Sequence, residues 1–285
     1  MKNTIIFLLS LFLSSQVIAQ PVTRVSFYII SHQDQWQLFM GLNAYNDIVA
    51  GPQSKVVFIY VNAGDSSCGR IPLRRSFYKA RQQGANNAVE FCADQNSPHE
   101  KNQSSYSTIH GHHILRHTYK NVNSYCLALP DGCNGTGLFG QSLKLSHDHS
   151  SLAISSVDSS ARYSNWDDLM ATINNIILSE STGIANISLN IADTNTTVNP
   201  RDNPDHIYAA LLGIGAARAI PNVKEFAYQE YCTDTMPANL SDADLATKSA
   251  LLSILDYGRT SNSQSSEWTP AQVIYAGRNY FREIR

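Results

Sequence analysis

A histidine and a carboxylate two residues apart, in Ser31-His32-Gln33-Asp34-Gln35, form the first group in this chain able to do chemistry. A tight turn can bring side chains i and i+3 towards one point, with i+2 aimed across it. His32 and the side-chain oxygen of Gln35 could then hold one metal ion from two sides, and Asp34 could reach a water beside it. Asp202-Asn203-Pro204-Asp205-His206 offers a second imidazole, His206, as a third ligand. Two histidines and one oxygen donor, with a position left open, is the usual pattern of catalytic zinc. Zinc lowers the pKa of a water and polarises a carbonyl, while a nearby carboxylate takes the proton.

The surrounding elements must bring these two groups together. Val25–Ile30 reads as a buried strand ending just before His32, and Trp36–Val49 as a helix stopped by Gly51-Pro52. Lys55–Val61 is a second strand, ending in the turn Asn62-Ala63-Gly64-Asp65, and a helix follows over Leu73–Cys92. This alternation predicts an α/β fold with a mostly parallel sheet, where ligands gather at the carboxyl ends of strands. In the middle, Thr108–His117 and Ser124–Leu129 read as strands, followed by the turn Pro130-Asp131-Gly132 and a short strand at Leu152–Ser156. A capped helix runs from Ser164-Asn165-Trp166 to Ser179, then come a strand at Asn186–Ile191 and a helix at His206–Ala219. Tyr228–Tyr231 is a short strand and Leu240–Tyr257 the last long helix.

The length of 285 residues, undivided by any linker or charge run, predicts one domain over residues 20–285. Lys2, the apolar run Ile5–Leu13 and the small residues at Val17 and Ala19 read as a signal peptide over residues 1–19, cleaved near Ala19. The mature chain is expected to be secreted or periplasmic, with no membrane span. Positive residues number 21 and negative 23, so no basic face invites nucleic acid. Five cysteines (Cys68, Cys92, Cys126, Cys133 and Cys232) allow at most two disulfides; Cys126 and Cys133 flank a turn-rich loop and could pair.

Several histidines and glycines read more plainly. His110-Gly111-His112-His113 alternates with Ile109 and Ile114 as a strand would, with His110 and His112 on one face. His147 and His149 lie in a polar loop. Gly213-Ile214-Gly215 imitates a dinucleotide fingerprint but sits inside a helix, where close packing is the better account. Trp36, Trp166 and Trp268 read as packing residues before sugar-stacking ones.

Taken together, the two chemical groups resemble the Ala-His-Pro-Asp-Asp-Glu and His-Pro-Asp-His motifs of LmbE-like and PIG-L-type deacetylases. Tyr78-Lys79-Ala80-Arg81-Gln82 is similar to that family's Tyr-x-x-Arg-Glu helix. Leu129-Pro130-Asp131-Gly132 and Tyr163-Ser164-Asn165-Trp166-Asp167-Asp168-Leu169 resemble further stretches of it. The resemblance implies a Rossmann-like α/β sandwich and one zinc ion per chain, used to remove acetyl groups from N-acetylglucosamine-type sugars or glycoconjugates. It implies His32, Gln35 and His206 as ligands, Asp34 as general base, Asn203 and Asp205 near the oxyanion, and Arg81 meeting substrate. Gln35 stands where the family has a carboxylate ligand, and Asn203 where many members have a histidine. Those two departures motivate a second reading, a family member that binds carbohydrate without cleaving it.

Overall fold

The computed structural model describes residues 21–66, 75–133, 137, 140–149 and 151–285. The expected signal peptide therefore lies outside the described residues, as does Cys68. Strand β1 (Arg24–Ile30) is followed by a π turn at Trp36–Met40 and α1 (Gly41–Val49). Next come β2 (Ser54–Asn62), α2 (Arg75–Ala93), β3 (Gln103–Ile109), β4 (His112–Tyr119) and β5 (Val122–Leu129). The second half holds α3 (Leu143–Asp148), the small ribbon β6 (Ile154–Ser155) and β7 (Arg162–Tyr163), α4 (Trp166–Glu180) and β8 (Asn186–Ala192). It ends with α5 (Pro204–Ala217), β9 (Val223–Gln229), α6 (Asp242–Thr260), α7 (Pro270–Val273) and β10 (Tyr280–Glu283).

Eight strands form one sheet in the order β10-β9-β8-β1-β2-β5-β4-β3. The five strands β9, β8, β1, β2 and β5 run parallel, and β10, β4 and β3 are antiparallel additions at the edges. Alternate side chains of the central strands enter two cores. Phe27, Ile29, Val57 and Ile59 pack with α4 and α5, whereas Tyr28, Ile30, Phe58 and Tyr60 pack with α1, α2 and α6. Both faces are covered, so these strands read as continuous apolar runs. No helix among the described residues is long and apolar enough to cross a membrane.

Four local expectations change. The stretch read as one strand over Thr108–His117 is a hairpin that turns at His110-Gly111, with φ of 48° and 85°. Two successive positive-φ residues make the tight turn a hairpin requires, and His-Gly lacks the familiar Asn-Gly signal. His112 then meets Asp168 across the fold, Nε2 to Oδ1 at 2.9 Å. The polar segment carrying His147 is helical because the Ser142 hydroxyl caps it, accepting the Leu145 N–H. The strand placed at Tyr228–Tyr231 runs over Val223–Gln229 instead, leaving residues 230 and 231 just beyond its end. Cys126 does not pair with Cys133: it is a buried free thiol that accepts from Gln82 Nε2, and Cys133 is in a disulfide.

Helices α2 and α6 touch backbone to backbone. A Cβ added at Gly84 would lie 2.3 Å from the Leu255 carbonyl oxygen, and one at Gly258 would lie 2.3 Å from the Gly84 Cα. Gly84→Ala is therefore expected to push the two helices apart and lower the unfolding free energy by about 3 kcal/mol, as overpacking against unyielding backbone does. A urea titration reads this directly; an unchanged midpoint would show that the crossing relaxes freely. Gly213 and Gly215 serve packing as expected, since a Cβ on Gly213 would press on Ile29 and one on Gly215 would meet Met170 Sδ at 2.5 Å.

Lys248, on α6, is wholly buried and donates to the carbonyls of Tyr275 and Arg278. Burial, reinforced by the Arg278 charge, lowers it to about 7. The unfolded chain keeps that proton up to its ordinary range near 10.5, so between pH 7 and 10 the unfolded state binds more protons and stability rises with pH. From pH 7 to 9 this amounts to about 2 kcal/mol. Denaturation of wild type and Lys248→Met at both pH values isolates the effect, because the variant should lack that rise.

Candidate metal and catalytic site

The sheet register determines which residues meet. Ile30 of β1 lies opposite Tyr60 of β2, and Tyr28 lies opposite Asn190 of β8. Asn62 of β2 pairs with Leu129 of β5, and Ala192 of β8 with Tyr228 of β9. The chain leaves β1 for β2 on one side and returns to β8 on the other, so the crevice opens at the carboxyl end of β1. His32, Asp131, the 202–206 turn and Glu230 all lie at that edge.

Short polar contacts hold the loops there. Ser31 Oγ donates to Asn62 Oδ1 at 3.0 Å, and Asn62 Nδ2 donates to the Pro130 carbonyl at 2.8 Å. Asp131 accepts the N–H groups of Gly64 (2.9 Å) and Ser66 (2.7 Å), and Asp205 accepts that of Gly132 (2.7 Å). Gly64 must be glycine: its φ is +67°, and a Cβ would lie 2.5 Å from Gln33 Oε1 and 2.7 Å from Arg81 Nη1. Asn203 caps α5, its Oδ1 accepting the Asp205 N–H at 2.9 Å.

At the centre the two imidazoles meet, His32 Nδ1 facing His206 Nε2 at 3.2 Å. On the far side of His206, Nδ1 faces Glu230 Oε2 at 2.5 Å and Asp202 Oδ1 at 3.2 Å. On the far side of His32, Nε2 faces Asp131 Oδ1 at 3.4 Å and Asp205 Oδ2 at 3.7 Å and makes no hydrogen bond. The result is a row of three gaps, each flanked by lone pairs on both sides unless a cation occupies it. Two neutral imidazoles supply two protons. The third gap takes one further cation, either a proton or a metal ion.

Without a metal, that cation is a proton. Burial opposes charge on His32, but Asp131 and then Asp205 outweigh it and raise the imidazole to about 9. Burial likewise opposes charge on His206, and Glu230 with Asp202 overrides it, so His206 also moves well upward. Asp131 falls to about 2, its burial outweighed by His32 and Arg81. Glu230 rises to about 7 through burial and the neighbouring Asp202, against the pull of His206.

The same row fits a zinc ion. Two nitrogens bound to one tetrahedral zinc at 2.0–2.1 Å lie about 3.3 Å apart, close to the gap between the rings. Carboxylates on both outer nitrogens would orient each ring, as partners of zinc-binding histidines commonly do. His32, Asp131 and Asp205 are all buried, and their ligand atoms lie close enough together that this group could also bind a metal.

The residues singled out from the sequence are brought together, with different partners for three of them. The Gln35 side-chain oxygen accepts the Ser31 N–H at 2.6 Å, and its amide nitrogen donates to Glu230 Oε1 at 2.8 Å, so both ends are engaged within the protein. Arg81 forms an ion pair with Asp34 and donates to the Gly64 carbonyl at 3.0 Å. Asn203 uses its oxygen as a helix cap. Asp34 stays ionised: burial opposes its charge, but Arg81 and His32 lower it below the ordinary carboxylate range. It also lines a small cavity with Leu38, Leu252, Arg259, Glu267 and the exposed Trp268. Asp131 has no assigned role in the sequence, although its Leu129-Pro130-Asp131-Gly132 loop carries a family resemblance, and Glu230 lies in no motif.

No protein-family model matches the chain, and no curated protein does. Among solved structures it is similar to the N,N'-diacetylchitobiose deacetylase from Pyrococcus horikoshii, at 12% identity and a TM-score of 0.46, over 86% of this chain and 72% of that one.

Proposed function

We propose that the chain is an exported, zinc-dependent amidohydrolase that removes the acetyl group from an N-acetylglucosamine-type sugar. The observation that carries this reading is the row of two histidines that needs one further cation, set beside an ionised Asp34 at the carboxyl edge of the sheet. The resemblance of the two motifs to LmbE-like and PIG-L-type deacetylases supports the choice of bond and substrate.

His32 Nδ1 and His206 Nε2 would hold the ion, and the chemistry it supplies there when bound is Lewis acidity towards an amide carbonyl and a water. Asp131 and Asp205 hold a proton on the outer nitrogen of His32, keeping the inner lone pair turned towards His206. Asp34, ionised at neutral pH, accepts the proton of the attacking water. As the C–N bond breaks, Asp34 returns that proton to the sugar amine, and acetate leaves with the water's oxygen. Arg81 keeps the Asp34 carboxylate aimed while this happens.

The test is acetate release from N-acetylglucosamine and its oligomers by protein stripped with a chelator and then reloaded with zinc. The expected result is turnover that disappears on stripping and returns on reloading. Fully zinc-loaded protein that releases no acetate from any N-acetylated sugar would end this reading. The second reading, sugar binding without cleavage, is favoured by the engagement of both ends of Gln35. It expects sugar affinity that is indifferent to chelator and unchanged in Asp34→Asn.

A further inference from the structure

We infer that Glu230 is the positioning residue of the ion site, orienting Gln35 and His206 together through its two carboxylate oxygens. The inference rests on the reading of His32 and His206 as ligands.

Hydrogen-bond direction carries the argument. The Ser31 backbone N–H can only donate, so the atom of Gln35 that meets it at 2.6 Å is the oxygen. That places the amide nitrogen of Gln35 against Glu230, 2.8 Å from Oε1, which must accept. The other oxygen, Oε2, faces Nδ1 of His206 at 2.5 Å. Two aromatic rings flank the imidazole. The ring stacks on Tyr231, with centroids 5.5 Å apart and planes 15° from parallel, and Phe39 meets it edge-on. With the proton held on Nδ1, Nε2 presents its lone pair to the gap shared with His32. Asp202 is the weaker partner of that proton, at 3.2 Å, and the same oxygen already accepts the Asn203 N–H at 2.7 Å.

Glu230 is itself built in. It is fully buried just beyond β9, and its N–H donates to Asn199 Oδ1 at 2.9 Å. Asn199 is tied in turn to the Asp193 carbonyl and to Asp202 Oδ2. No contact to solvent accounts for this carboxylate, and its two oxygens meet two residues of the chemical motifs.

The directionality makes an exchange of the two side chains a strict test. In Glu230→Gln, the new amide must keep its oxygen towards Gln35, so its nitrogen meets Nδ1 of His206 with a second donor. The His206 proton is then driven to Nε2, into the gap. In Gln35→Glu, an oxygen replaces the amide nitrogen opposite Glu230 and two carboxylates face each other. In the exchanged protein, Gln35→Glu with Glu230→Gln, every donor again meets an acceptor. Glu at position 35 accepts from Ser31 and from the amide at 230, whose oxygen accepts from His206.

The experiment measures zinc affinity by equilibrium dialysis. In parallel, nitrogen-15 NMR on metal-free protein reads whether His206 Nδ1 carries a proton, separately from any proton that fills the gap at Nε2. Glu230→Gln should bind zinc 10–100-fold more weakly and lose the proton on His206 Nδ1, Gln35→Glu should melt at a lower temperature, and the exchanged protein should recover all three properties. The inference is overturned if Glu230→Gln keeps wild-type zinc affinity with the proton on Nδ1, or if the exchanged protein is no better than Glu230→Gln. Should Glu230→Gln fail to fold, the exchanged protein decides. The proton position is read without metal or sugar, so it still answers if the proposed deacetylation fails.

Discussion

Asp34→Asn is expected to retain zinc and bind sugar while releasing acetate about a thousandfold more slowly, the scale at which a positioned general base contributes. The substitution keeps the shape of the side chain and removes only its capacity to take a proton. The neighbouring Arg81 is the complication, because its guanidinium is buried and paired with Asp34. Asp34 is not its sole support: Glu267 and Asp131 also favour its charge, and the Gly64 carbonyl accepts from it. The variant should therefore fold with a lower melting temperature, and zinc content measured on the same sample separates lost chemistry from lost structure. The acid limb of the wild-type rate profile gives an independent check. With its pKa lowered by Arg81 and His32, Asp34 remains a base below the ordinary carboxylate range. Over the pH range in which zinc content holds, activity should thus persist to more acidic pH than a solvated aspartate would allow. An Asp34→Asn protein that is folded, loaded with zinc and as fast as wild type would remove Asp34 from the reaction.

How far the sequence reaches is clearest from particular residues. The apolar run Val25–Ile30 and the helical spacing after it located β1 and the turn at His32, and parallel pairing then required the second motif to approach the same edge. Local pattern could go that far. It could not tell which way an amide faces. Gln35 reads as a ligand, and the direction its amide faces is set by Ser31 four residues earlier and Glu230 nearly two hundred residues later. Glu230 carries no motif because its place comes from the register of β8 with β9, a non-local property. The same holds for the His110-Gly111 turn, where strand alternation continues through a reversal that only two positive φ angles reveal. Arg81 lay on its expected helix, and its partner, Asp34, came from the first motif itself. Charge pairing across a crevice depends on distances that sequence spacing does not contain.

His206→Ala should have the largest effect on the ion. Structural zinc sites of four protein ligands bind with an apparent free energy of about 10–16 kcal/mol, about 3 kcal/mol per ligand, so removing one of the two imidazoles here should weaken zinc on the order of a hundredfold or more. The same substitution removes the cation that lies against Glu230 and Asp202, both buried at their side chains. Glu230 and Asp202 would keep their donors from Gln35, Asn199 and Asn203 but lose the imidazole between them, which costs about 3–5 kcal/mol as a broken buried pair. Zinc content after dialysis and the denaturation midpoint should fall together. Asp131→Asn separates the two faces of His32. If the ion lies between the rings, Asp131 only orients the outer nitrogen, and its loss should weaken zinc by about 10–100-fold while leaving the His206 contacts intact. If instead Asp131→Asn abolishes zinc binding and His206→Ala spares it, the ion sits on the outer nitrogen of His32, against Asp131 and Asp205. In that case His206 serves as the acceptor that turns His32 towards those carboxylates, so the same row of three gaps would operate in the opposite direction.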